Sequence, residues 1–133
     1  MNAVTATPLY AGLLALLLLF LSFRVVQGRI KYKVGFGDGG KPEMTQRIRV
    51  QANFTEYAPM ILLALLVAEL AGVSTAIVHA LGVATMAGRV MHAFGLGTST
   101  GASFGRYWGT LVTWIALLAT AVLCLLAAAG LRV

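Results

Sequence analysis

Three groups of polar residues in an otherwise apolar chain have the types and the spacing to do chemistry. Arg49, Asn53 and Glu56 stand at i, i+4 and i+7. At about 100° per residue they fall within one narrow arc of a helix, with Tyr57 beside them. Arg89 and His92 are three residues apart, and Arg106, Tyr107 and Trp108 are consecutive. Arginine forks bind carboxylates and a glutamate takes an ammonium, so the set suits a small zwitterion rich in carboxylates. An arginine close to a thiol also favours the thiolate, the reactive form of sulfur. Gln51 points to another side of the same helix, where a neighbouring helix or subunit can use it. Blander readings stand beside these: Arg49 and Glu56 as a self-satisfying pair that holds helices together, and Tyr107 and Trp108 as anchors at the membrane interface.

These residues need elements to carry them, and composition says which. Of 133 residues 59% are hydrophobic, and the mean hydropathy is +0.88, whereas soluble domains are about 45–50% apolar. The expected fold is an all-α integral membrane protein, one domain over residues 1–133, with four transmembrane helices at about 5–27, 43–71, 74–95 and 105–130. A basic loop over about 28–42, a tight turn at Gly72–Val73 and a Gly/Ser/Thr-rich stretch before Arg106 connect them. Pro42 and Glu43 suit a helix start, and Ser74 suits a cap. A secretory signal peptide is the alternative for the first span, but no base precedes Pro8 and no A-x-A-like site follows Arg24.

An ionisable group at mid-bilayer costs roughly 2.5–3.5 kcal/mol, so Arg49, Glu56 and Arg89 need a reason to sit in spans. Lysine and arginine mark the cytoplasmic side. They concentrate in the first loop, at the start of the second helix and around the third connection. Both termini are therefore expected away from the cytoplasm, where only Glu69 and Arg132 carry charge, and the polar cluster lies near the cytoplasmic face. The net charge of +6 is explained by topology and anionic lipid, not by nucleic acid.

The run Arg49-Val-Gln51-Ala-Asn53-Phe-Thr-Glu56-Tyr57-Ala-Pro59 resembles the helix-two signature of the MAPEG family, the membrane-associated proteins in eicosanoid and glutathione metabolism. Val34-Gly-Phe-Gly-Asp-Gly-Gly40 and Gly88-Arg89-Val-Met-His92-Ala are similar to its bacterial branch, and the four-helix layout covers the whole chain. The resemblance implies a homotrimer with glutathione as cosubstrate, bound between neighbouring subunits. Its thiolate would attack a lipophilic electrophile or reduce a lipid hydroperoxide. Arg49, Asn53, Glu56 and Tyr57 match the family's glutathione-binding positions, and Gln51 a position of the same motif. Arg106 matches the arginine that stabilises the thiolate, with Tyr107 beside it. Arg24 matches the basic residue ending helix one, and Arg89 the helix-three arginine, while His92 stands where better-known members carry a tyrosine.

Other motifs carry less. Gly35 to Lys41 fits G-x-x-x-x-G-K, but Pro42 stands where a phosphate loop needs Ser or Thr, and a membrane helix precedes it where a buried strand belongs. Asn53-Phe-Thr55 matches a glycosylation acceptor inside a helix near the cytoplasmic side. Cys124 is the one cysteine and reads as packing, while His79 reads as a lone helix-packing partner; no metal is expected. Two functions follow. One is a glutathione-dependent transferase or peroxidase acting on lipophilic molecules in a bacterial inner membrane, a location that also fits a chain ending at Val133 without a retention signal. The other is a non-catalytic binding scaffold or small transporter, although an exporter of that size is expected to carry an acid in its first helix, and none lies before Phe23.

Overall fold

The computed structural model describes residues 4–99 and 101–131, so Arg132, part of the orientation argument, lies outside the described residues. Four helices follow one another: α1 (Ala6–Tyr32), α2 (Pro42–Leu70), α3 (Thr75–Thr98) and α4 (Phe104–Ala128). Each is long and apolar enough to cross a membrane. At 1.5 Å per residue they reach about 36–44 Å, beyond the ~30 Å hydrocarbon core. The chain is an all-α, four-helix integral membrane protein.

Helix starts follow local chemistry at three of the four ends. Pro42 opens α2 with Glu43 in its first turn. The Ser74 hydroxyl accepts from the N–H of Ile77 on α3, and that of Ser103 accepts from the N–H of Arg106 on α4. The fourth start is capped from a distance. Glu69, near the end of α2 and 3% exposed, accepts from the backbone N–H groups of Thr5, Ala6 and Thr7, each at 2.8 Å. A carboxylate against the positive end of a helix dipole satisfies donors that lipid cannot.

Helix α1 runs on to Tyr32, past the end near residue 27 suggested by its basic residues, and stops where Lys33 turns into the left-handed region (φ 55°, ψ 44°). Helix α3 likewise continues through Gly95 to Thr98. Its glycines serve contact with α4. A Cβ on Gly88 would lie 2.8 Å from the Thr113 hydroxyl, and one on Gly109 would lie 2.5 Å from the His92 backbone nitrogen and 2.8 Å from the Gly88 carbonyl. Close approach of this kind is how small residues associate membrane helices.

The apolar interior has two parts. Ile61, Leu65, Val73, Val78 and Leu123 pack near the termini, and Leu14, Leu21, Val50, Phe54 and Ala93 pack towards the basic end. Helices α1 and α4 do not pack against each other, so α2 and α3 form the centre. Leu16, Leu19, Ile115 and Leu118 are exposed on the outside, as a lipid-facing surface requires. One deep polar pair crosses the interior: His79, expected as a helix-packing hydrogen-bond partner, bonds the Tyr10 hydroxyl through Nδ1 at 2.9 Å.

Candidate functional site

At the basic end the start of α2, the C-terminal end of α3 and the first turn of α4 enclose a cleft of about 550 Å³. It is lined by Asp38 and Gly40 of the first loop, Thr45, Gln46, Arg49 and Asn53 of α2, His92 of α3 and Arg106 of α4. The helical spacing explains the α2 wall: Thr45, Arg49 and Asn53 are four apart and share one face. The glycine contacts explain the other wall, because Gly109 against His92 and Gly95 against the start of α4 bring Arg106 up to His92.

Below the cleft the α2 stripe continues as a network. Arg49 Nη2 lies 3.5 Å from Glu56 Oε1, and Asn53 Nδ2 donates to Glu56 Oε2 at 3.4 Å. Arg89, 2% exposed, donates Nη1–H to Asn53 Oδ1 at 3.0 Å and to the Asn53 carbonyl at 3.2 Å. Its guanidinium stands 5.4 Å from the centre of the Tyr57 ring, a cation–π distance, and its Nε has no partner among the described residues. Arg89 therefore orients Asn53 from behind. Arg49 and Glu56 remain open, with side chains 56% and 46% exposed.

The mouth is shaped by the first loop. Asp38 accepts from the Thr45 hydroxyl at 2.6 Å and from the Gly40 N–H at 2.9 Å; these bonds hold its carboxyl below the usual aspartate pKa. Gln46 donates to the Leu96 carbonyl at 2.6 Å, tying α2 to α3 beside the cleft. The phosphate-loop pattern at residues 35–41 thus connects two helices and turns its aspartate to the mouth. Asp38, Thr45 and Gln46 were not singled out in the sequence, although the last two lie one turn before Arg49 on the same stripe.

Several predicted site residues lie elsewhere in the protomer. Arg24 lines a separate cavity of about 160 Å³ with Tyr32, Glu43 and Arg47, and its carbonyl accepts from Arg47 Nη1 at 2.7 Å. Gln51 donates to the Ser22 hydroxyl of α1 at 2.8 Å, on the opposite side of α2 from the cleft. Tyr107 lies in a groove of about 540 Å³ along α4, with Ser103, Thr110, Leu111 and Trp114; Arg106 lines both this groove and the cleft. Glu56 and Tyr57 sit below the cleft wall. Cys124 is in none of these places: its thiol donates to the Ala64 carbonyl at 3.3 Å.

An arginine-rich cleft joined through one arginine to an apolar groove can hold a polar, anionic molecule against a lipophilic one. Comparison with known proteins gives the family. The family model described as MAPEG family matches residues 7–126. The inner membrane protein YecN of Escherichia coli strain K12 is 42% identical over 112 residues, covering 84% of each chain, and YecN of Escherichia coli O6:H1 strain CFT073 matches to the same extent.

Proposed function

This chain belongs to the MAPEG family, and from that premise we propose that it is a glutathione-dependent transferase or peroxidase acting on lipophilic electrophiles or lipid hydroperoxides. The observation that carries the reading is the convergence of Arg49, Asn53, His92 and Arg106, from three helices, on one cleft at the basic end. Glutathione has two carboxylates, one ammonium and one thiol. Arg49 pairs with a carboxylate, Asn53 with an amide or carboxylate, and Glu56, held only at 3.4–3.5 Å by its neighbours, with the ammonium. Tyr57 flanks the Arg89 that fixes Asn53. Arg106 stabilises the thiolate, and the groove past Tyr107 and Trp114 brings the apolar partner in from lipid. Holding both molecules at one arginine replaces a bimolecular encounter by an oriented one.

The assembly belongs to the same proposal. An ion pair half open on the flank of a membrane-spanning helix is costly in contact with lipid. A homotrimer covers Arg49 and Glu56 with a neighbour, and lets Arg24 and Gln51, which face away from their own cleft, complete the site of the adjacent subunit. The site then lies near the cytoplasmic face of a bacterial inner membrane, with both termini on the other side. YecN's name as an inner membrane protein, the bilayer-length helices and the basic loop support this placement.

Conjugation is the direct assay. Detergent-purified protein given glutathione and a chlorodinitrobenzene is expected to form the conjugate with saturation in both substrates. Saturable binding of glutathione with no conjugation and no hydroperoxide reduction would favour the binding-scaffold alternative.

A further inference from the structure

The imidazole of His92 is a polar group for which the binding scheme has no specific use, and its placement is unusual. His92 is 4% exposed and lines the cleft. Among the described residues its ring makes no hydrogen bond, and neither ring nitrogen is among the sealed atoms without partners. A covered ring whose nitrogens are neither bonded nor sealed presents them to the cavity. The other histidine differs, since His79 is engaged by Tyr10.

The groups around it narrow its role. Arg89 on its own helix and Arg106 on α4 are the cations facing it. Arg49 of α2 and Asp38 of the loop line the same cleft, while from α1 Arg24 is in a separate cavity. A charged guanidinium has no lone pair with which to accept a proton. Asp38 is held as a carboxylate by Thr45 and Gly40 and is a weak proton acceptor. Asn53, Gln46 and Thr45 do not titrate. Of the side chains lining the cleft, His92 alone offers a ring nitrogen with no hydrogen bond among the described residues, and an uncharged imidazole nitrogen carries a lone pair that accepts a proton.

Resting on the glutathione reading, we propose that His92 is the proton acceptor for the thiol bound in this cleft. The S–H bond breaks as an N–H bond forms on the imidazole, and the electron pair stays on sulfur beside Arg106. The imidazolium passes its proton to water at the mouth. The thiolate then forms a C–S bond to the electrophile, whose leaving group departs with its electron pair; with a chlorodinitrobenzene that group is chloride. Arginine and histidine divide the work: Arg106 stabilises the charge and His92 removes the proton.

The test mixes detergent-purified protein rapidly with glutathione and follows thiolate absorbance from mildly acidic to mildly alkaline pH, with S-methylglutathione, which has no thiol proton, as the binding control. His92→Gln keeps a hydrogen-bonding side chain in the cleft and is expected to bind S-methylglutathione saturably, so thiolate rates are compared at saturation. Its thiolate should form about 100-fold more slowly at each pH tested. Added imidazole is expected to restore thiolate formation in His92→Ala. An unchanged rate in His92→Gln, or no rescue in a His92→Ala variant that still binds S-methylglutathione, overturns the proposal and leaves the glutathione reading standing. No thiolate in the unsubstituted protein overturns both.

Discussion

Glu69 and Glu56 are acids of the same helix, one beside its end and one at its midpoint, and their surroundings could hardly differ more. Glu69 is 3% exposed and receives three N–H bonds at 2.8 Å. Glu56 is 46% exposed and held by two groups at 3.4–3.5 Å. Histidines repeat the contrast, with His79 bonded to Tyr10 and His92 open to the cleft. A membrane interior tolerates a polar group when its bonds are complete. Completed groups near the termini hold the fold, whereas the groups from mid-helix to the basic end keep incomplete bonds, which the proposed glutathione and neighbouring subunit would complete.

The comparison breaks most visibly at Glu69. Glu69→Ala strips three backbone donors of their acceptor, and is expected to lower stability by on the order of 3 kcal/mol, read from thermal unfolding in detergent, while glutathione affinity of the folded fraction is unchanged. A mild effect on unfolding would remove the distinction between the two acids. Gly109→Ala comes next, because its Cβ would meet the His92 backbone nitrogen at 2.5 Å and the Gly88 carbonyl at 2.8 Å. Overpacking costs roughly 1–3 kcal/mol, and the shift of α4 should carry Arg106 away from the cleft. Conjugation is therefore expected to fall well beyond what the loss of folded protein explains.

Asp38 gives the smallest effect and sharpens the account at the mouth. Its carboxyl titrates below the usual value because Thr45 and Gly40 bond the ionised form. The loop anchor is thus fully present above the unfolded aspartate pKa, and is lost as pH falls through the lower folded value. Asp38→Asn is expected to remove that acid-side dependence from protection of the loop against proteolysis, with little change near neutral pH. The same pH dependence in both proteins would show that Asp38 does not anchor the loop.

The four spans were legible because long apolar runs have few alternatives, and the α2 stripe because helical spacing alone gathers Arg49, Asn53 and Glu56. The end of α1 was misplaced because Arg29, Lys31 and Lys33 read as loop; arginine and lysine are good helix formers, and the helix extends past the apolar run. Gly95 and Gly97 read as a break for a similar reason, although Gly95 is needed against the first turn of α4. The cap of α1 by Glu69 and the pairing of Tyr10 with His79 join positions 62–69 apart, so no local pattern announces them. Arg24 and Gln51 share chemistry with the cleft residues but face elsewhere, and direction around a bundle is set by packing.

The most direct test of the central claim, that the open groups at the basic end bind glutathione and ionise its thiol, is titration of the detergent-purified protein with glutathione while following thiolate absorbance. The account predicts a saturable signal, a midpoint raised about 10-fold or more by Arg49→Ala, since losing a charged partner costs about 1.5–3 kcal/mol, and binding without thiolate in Arg106→Ala. No saturable signal in the unsubstituted protein, or an Arg106→Ala variant that forms thiolate as well as the parent, would contradict it.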